Sequence, residues 1–272
     1  IFRFLMVLSL ILVAGFVFSV LWSIFSKGIP VLTWEMVTSL PGSGFYVGKQ
    51  GGFLNAIVGS VYIVLGATFL GLLISIPVVF YLSVYLKKDS RFGSIARLAF
   101  DVLFGVPSIV YGAFAFTIMI VVGIRASLLG GILVETLLIV PILIRSMDEV
   151  ARTIPKELLE TAYSLGATKI ETIGVVIRQI APAIATATLL SVGRAMGDAA
   201  GVMFTAGFTD YIPESLTDKA ATLPLSVFFQ LSAPQIEVQN RAYAAAVVLT
   251  VIILIISLSG RFIMRYFSKN KV

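Results

Sequence analysis

Long runs without charged residues are the feature that most limits how this chain folds. A helix needs roughly 20 residues to cross about 30 Å of hydrocarbon at about 1.5 Å per residue. Six runs are long enough, with three charged residues among them, and they cover residues 4–26, 50–86, 102–124, 126–144, 179–209 and 242–260. Of all 272 residues 58% are hydrophobic and 12% charged, far from the composition of soluble domains. The sequence therefore predicts an all-α polytopic membrane protein with six transmembrane helices.

The chain contains no cysteine and no histidine. Disulfides, thiolate or imidazole metal sites and histidine-activated nucleophiles are therefore excluded. The remaining residues form no recognisable catalytic constellation, which disfavours a membrane-embedded enzyme. We expect no metal site and no cofactor in this chain.

Basic residues are divided unevenly between the two ends of the predicted spans. Of 20 lysines and arginines, 14 fall on the side of the two termini, five fall on the other side, and Arg194 lies inside a span. By the positive-inside rule, this asymmetry predicts a multi-pass protein of the cytoplasmic membrane with both termini in the cytoplasm. The first span is too long for the apolar core of a signal peptide, so we expect it to be retained.

The cytoplasmic stretch between spans four and five is predicted to form short helices. Ser146 with Glu149, and Thr168 with Glu171, each fit a capping box. Between them, Pro155 suits a first helical turn, and an apolar helix face comprises Leu158, Leu159, Ala162 and Tyr163. Gly166 would supply a left-handed stop. Such a helix either lies in the lipid headgroups or docks a protein, and its pattern leaves both open.

Two of the intramembrane charges lie in span five. Arg194 and Asp198 are four residues apart, which places them on one helical face, where they can pair. A buried pair needs a partner or a water-filled cavity, and it either fixes the rotation of its helix or lines a permeation path. Gly193, Gly197 and Gly201 form a small-residue stripe beside them that would let another helix approach closely.

Glu135 and Asp101 are two further acidic residues in or near the predicted spans. Glu135 stands alone in the middle of span four, where an unpaired carboxyl would stay protonated. It is a candidate for lining a cavity or for bonding to a neighbouring helix, and the sequence favours neither. Asp101 follows Arg97 by four residues near a span end, which predicts a pair along one helix.

One loop and four other segments resemble a known family. Residues 160–167, Glu-Thr-Ala-Tyr-Ser-Leu-Gly-Ala, resemble the EAA loop of ABC-importer permeases. Four other segments are similar to the phosphate-specific (Pst-type) branch of that superfamily, and in particular to its A-type subunit. They are residues 51–62, 105–112 (Gly-Val-Pro-Ser-Ile-Val-Tyr-Gly), 141–149 and 194–198. Thr161, Gln179 and Asp198 depart from the pattern, standing where alanine, proline and glutamate are usual.

The resemblance implies a type I ABC-importer permease fold (MetI-like). It divides the chain into an N-terminal helix with an external loop, 1–49, and a transport domain, 50–272, with a cytoplasmic coupling loop at 146–171. It implies translocation of inorganic phosphate by alternating access, with Arg194 and Asp198 on the substrate path. The residues that it assigns to ATPase coupling are Glu160, Thr161, Ala162, Tyr163 and Gly166.

The resemblance also implies partners. They are a homologous second permease subunit (PstC-like), a cytoplasmic ATPase dimer (PstB-like) that carries ATP and magnesium, an extracytoplasmic phosphate-binding protein (PstS-like) and membrane lipid, with no nucleic acid. The chain itself would not be an enzyme. The alternative is an ion-coupled secondary transporter of a small anion, in which Glu135, Asp101 and Asp198 relay protons; it leaves the cytoplasmic docking helix unexplained.

Overall fold

The computed structural model describes residues 2–42, 51–86 and 90–269, and within these ranges regular structure is helical apart from one isolated bridge. Residues 43–50 lie outside these ranges, and 43–49 of them, with Lys49, belong to the external loop that the resemblance implies. Three further basic residues used for the topology also lie outside: Lys87, Lys88 and Lys271. The helices are α1 (Phe2–Gly28), α2 (Trp34–Thr38), α3 (Leu54–Phe80), α4 (Arg91–Gly105), α5 (Ser108–Val122), α6 (Leu128–Ala151), α7 (Lys156–Ser164), α8 (Lys169–Gly197), α9 (Val202–Thr205), α10 (Leu223–Leu231) and α11 (Ile236–Lys269). A π-helical turn, Tyr81–Tyr85, extends α3.

Five of the described helices, α1, α3, α6, α8 and α11, are each long and apolar enough to cross a membrane. A sixth span results only if α4 and α5 are taken together, and their axes differ by 101°. The all-α polytopic fold is confirmed. The prediction of one continuous helix over 102–124 is wrong, because the chain turns sharply between Gly105 and Ser108.

Pro107 explains this turn. Val106, the residue before proline, is extended at φ −71° and ψ 130°, as steric contact with the proline ring requires. Pro107 has no N–H to donate to the carbonyl of Leu103. The buried Tyr111 hydroxyl donates to that carbonyl instead, at 2.8 Å, alongside the Val106 N–H at 3.1 Å. Tyr111 therefore fastens α5 to the end of α4.

The core lies where α3, α6 and α8 pack together, with α6 the most enclosed of the spanning helices. After α8, residues 198–206 return between α5 and α6. A β-carbon at Gly112 of α5 would lie 2.6 Å from the carbonyl oxygen of Gly201, and one at Gly130 of α6 would lie 2.5 Å from that of Thr205. Only glycine permits these approaches, so the segment is held by backbone contacts on both sides.

The segment between α6 and α8 confirms two of the predictions made from the sequence and contradicts a third. The Thr168 and Glu171 capping box is confirmed: the Thr168 N–H donates to Oε2 of Glu171 at 2.7 Å, and the Glu171 N–H donates to Oγ1 of Thr168 at 3.3 Å. Gly166 has the expected left-handed conformation, with φ +85°. The box at Ser146 is wrong, because α6 continues past that residue to Ala151.

Replacing Tyr111 with phenylalanine tests the fastening of the α4–α5 turn. We expect Tyr111→Phe to lower the free energy of unfolding by about 1 kcal/mol, since the Leu103 carbonyl loses a hydrogen bond in a buried setting. Thermal unfolding of the purified protein measures the change. Tyr62→Phe is the control, because the side chain of Tyr62 is 45% exposed; equal effects of the two substitutions would contradict the assignment.

Candidate functional site

Asp198 ends α8 and does not continue it. The helix stops at Gly197, and Asp198 is extended at φ −81° and ψ 124°. Its Oδ2 accepts a hydrogen bond of 2.6 Å from the N–H of Gly201. The expected pairing of Arg194 with Asp198 on one helical face is wrong, since no ion pair within 4.0 Å joins these two described residues. The break in the helix turns the carboxylate away and gives it a backbone partner.

Arg194 occupies the last turn of α8, where a cation also complements the helix dipole. Its side chain is exposed and makes no hydrogen bond or ion pair with the rest of the chain that the structure describes. A β-carbon at Gly193 or Gly197 would meet no atom within 4 Å, whereas Gly201 is buried. The glycine stripe is therefore divided where the helix ends: two positions face open space and the third packs inside.

Glu135 lies in the middle of α6 and is completely buried. Both of its carboxyl oxygens lack a hydrogen-bond partner among the described residues. A β-carbon at Gly201 would lie 3.4 Å from Oε1 of Glu135 and 2.7 Å from Oδ2 of Asp198, so the two carboxyl groups share one small space beside Gly201. The sequence left two placements open for Glu135, and in the structure it is buried against the segment that follows α8. Arg194 also acts on it electrostatically.

A second group of charges joins α4 to α6 near α7. The Arg97 guanidinium donates from Nε to Oδ2 of Asp148 at 2.7 Å and from Nη2 to Oδ1 at 3.1 Å, a bidentate pair. Its Nη2 also donates to the carbonyl of Leu82, in the π-helical turn, at 3.3 Å. Asp101 pairs with Arg145 at 3.4 Å. The expected pair of Arg97 with Asp101 is wrong. Helix α4 lies alongside α6, and each of the two residues pairs with a residue of α6 instead.

Two cavities flank Arg97. One, of about 300 Å³, is lined by Arg97, Phe100, Asp101, Ile144, Arg145, Asp148, Glu149 and Arg152. The other, of about 240 Å³, lies between the π-helical turn and α7 and includes Leu159 and Tyr163 of α7. Arg97 therefore stands between α7 and the junction of α4 with α6. Sequence reasoning missed this bridge, since only the position of Arg97 and Asp148 at span ends hinted that they would meet.

Helix α7 presents most of the predicted coupling residues at the surface. Glu160, Thr161, Tyr163 and Gly166 are exposed, and Ala162 is half-buried. Leu159 packs on the core and holds the helix to the bundle. Leu165, at the turn after α7, is 84% exposed. Exposed acidic and apolar side chains therefore lie together on α7 and the turn that follows it.

Comparison with known proteins agrees with this architecture. Residues 80–271 match the family described as binding-protein-dependent transport system inner membrane component. The chain is 32% identical to the phosphate transport system permease protein PstA of Yersinia pestis, over 99% of this chain and 90% of that protein. It is 30% identical to the protein of the same name from Haemophilus influenzae, over 89% and 85%. An inward-facing structure of the methionine ABC transporter MetNI shares the fold, with a TM-score of 0.62, 17% identity and coverage of 79% of this chain and 95% of that one.

Together with the bundle of apolar helices, these matches place the chain among the multi-pass transport permeases of the ABC-importer class. The chain belongs to the family of binding-protein-dependent transport system inner membrane components, and its fold is that of the MetI-like permeases. As members of that class, such permeases work with an ATPase and a substrate-binding protein.

The two ion pairs between α4 and α6 should differ in their effect on stability. Arg97→Ala leaves Asp148, whose side chain is 8% exposed, without its partner, and we expect a loss of about 3 kcal/mol in the free energy of unfolding. Asp101→Asn breaks a pair whose side chains are about half exposed, and we expect about 0.5 kcal/mol. Thermal unfolding compares the two; a larger effect of Asp101→Asn would refute this ranking.

Proposed function

We propose that this chain is the permease subunit through which an ATP-driven importer moves inorganic phosphate across the cytoplasmic membrane. The support for the substrate is that relatives 32% and 30% identical, over 99% and 89% of this chain, are phosphate transport system permeases. Transport proceeds by alternating access, with the transport domain at 50–272. ATP and magnesium bind to a separate ATPase dimer, and this chain carries no cofactor.

The observation that carries the proposal is the continuity of α8. A single helix of 29 residues begins three residues after the turn at Gly166 and ends beside Asp198. At about 1.5 Å per residue this helix, which contains Pro182, is roughly 40 Å long, and we propose that it transmits movement along its length. A displacement of α7 by the ATPase therefore shifts Arg194 at the far end. Coupling helix and substrate site are linked by one element.

The chemistry of Arg194 suits an oxyanion. A guanidinium offers a planar fork of donors that matches two phosphate oxygens. Because Arg194 is exposed and unpaired within the described chain, its donors are free for a ligand. Asp198 lies one turn beyond and is the negative charge that prevents tight binding, as transport requires a site from which the anion leaves readily.

The orientation and partners follow from the same elements. The α7 surface, with Glu160, Thr161 and Leu165, faces the cytoplasm and docks on the PstB-like ATPase dimer, and both termini are cytoplasmic. Loop residues 207–222, at the opposite end of the bundle, meet the PstS-like binding protein. The exposed side of α8 around Gly193 and Gly197 meets a homologous PstC-like permease subunit, so that two Arg194-type sites face a shared path.

The alternative of an ion-coupled secondary transporter is not favoured. The family is defined by transport that depends on a binding protein. Asp101, one of the three acids assigned to the proton relay, is bound to Arg145 at the α7 end, away from Glu135.

Removing the guanidinium tests the substrate site. We expect Arg194→Ala to abolish phosphate uptake into cells, because the anion loses its cationic donor at that site. Uptake of radioactive phosphate is measured with the amount of assembled complex determined in parallel. Arg125→Ala, which removes an exposed arginine between α5 and α6, is the control and should transport normally. Wild-type uptake by an assembled Arg194→Ala complex would refute the assignment.

Reversing a charge on α7 tests the coupling surface. We expect Glu160→Lys to reduce co-purification of the ATPase at least tenfold, since a like-charge or unmatched contact at an interface costs over about 1.4 kcal/mol. Glu214→Lys makes the same change on the exposed 207–222 loop and should leave co-purification intact. If both variants, or neither, lose the ATPase, α7 is not the docking surface.

A further inference from the structure

The carboxyl group of Glu135 is the least satisfied polar group near the substrate site. It is completely buried, and neither oxygen accepts a hydrogen bond from the described residues. A carboxylate in such a place is strongly disfavoured unless it is paired or protonated. Something other than a donor from the chain must therefore stabilise this group.

Several donors on the elements around Glu135 are engaged elsewhere, whereas the buried hydroxyls of Thr68 on α3 and Ser191 on α8 have no partner among the described residues. On α5, the Tyr111 hydroxyl donates to the carbonyl of Leu103. On α6 itself, the Thr136 hydroxyl donates to the carbonyl of Ile132 at 2.7 Å. The N–H of Gly201 donates to Asp198. From α8, Arg194 exerts its charge on Glu135 but makes no hydrogen bond to it.

The carboxyl group of Asp198 is a further polar neighbour of Glu135. Its Oδ2 and the Oε1 of Glu135 converge on Gly201, and both groups would accept hydrogen bonds if both were ionised. Two carboxylates that share one small space, with Glu135 fully buried and Asp198 half-buried, repel each other, and a pair of this kind holds a proton in common. With one proton, the Glu135 hydroxyl donates to Asp198, and Asp198 also accepts from the Gly201 N–H.

We infer that Glu135 and Asp198 form a proton-binding pair that holds one shared proton in this conformation. The pair then carries a single negative charge, which balances the positive charge of Arg194. The consequence for transport rests on the proposed function: loss of the shared proton leaves a net negative charge beside Arg194, which weakens its attraction for an oxyanion. The pair therefore determines the charge that the substrate meets.

Infrared spectroscopy of the assembled importer tests the shared proton without any transport assay. We expect wild type at neutral pH to show the C=O stretching band of a protonated carboxyl, and Glu135→Gln to lack it. Glu149→Gln, which changes an exposed glutamate of the same helix, should keep the band. Absence of a protonated-carboxyl band from wild type at neutral pH would overturn the inference whether or not any variant assembles, and so would its persistence in Glu135→Gln.

The pH profile of phosphate uptake tests the functional consequence. Glu135→Gln keeps a donor to Asp198 and the single charge of the pair but cannot lose that charge state by titration, so each profile is compared relative to its own uptake at neutral pH. Above the pH at which the pair loses its shared proton, wild-type uptake should fall about tenfold per pH unit, and uptake by the variant should not show this fall. Parallel profiles would overturn the functional part. Transport by Arg194→Ala together with a Glu135-dependent infrared band would refute the substrate site and leave the shared proton standing.

Discussion

The requirement that buried backbone groups be satisfied governs this structure most strongly. Helical spans are interrupted twice, at Pro107 and after Gly197, and such interruptions are tolerated in an apolar bundle only where protein packs against them. The two interruptions meet: Gly112, just beyond the first, contacts the backbone at Gly201, just beyond the second. Tyr111 supplies the hydrogen bond that Pro107 removes. The contact of two helix breaks thus creates the closed space in which Glu135 and Asp198 lie together.

Two arginines of the described chain have opposite surroundings. Arg97 and Asp148 are mostly buried and bidentate, and they tie α4 to α6 beside α7. Arg194, in the last turn of α8, is exposed and has no hydrogen-bond or ion-pair partner in the described chain. Helix α8 runs from Lys169, just after the turn at Gly166, to Gly197, so one helix joins the α7 end of the bundle to Arg194. In the proposed function, this helix links the α7 surface to the anion site.

Local patterns predicted the elements whose causes are local. The capping box at Thr168 and the left-handed Gly166 depend on a few consecutive residues, and both are confirmed. The box at Ser146 was wrong because an apolar, well-packed α6 continues through it, so packing prevailed over a capping signal. Both expected i,i+4 pairs were wrong as well. Asp101 found Arg145 on another helix, and Asp198 lies past the end of its own helix.

The sequence alone determined that the chain is a helical membrane protein, since hydrocarbon selects apolar runs of sufficient length whatever their order. It also indicated the coupling helix and the intramembrane charges, because charged residues in apolar runs are conspicuous. Only the tertiary structure decided which charges meet. A partner is chosen by the distance between atoms of different helices, and that distance depends on where helices break and how closely glycines let them approach. The placement of Glu135 beside Asp198, with Arg97 on Asp148, follows from those two properties of the packed bundle.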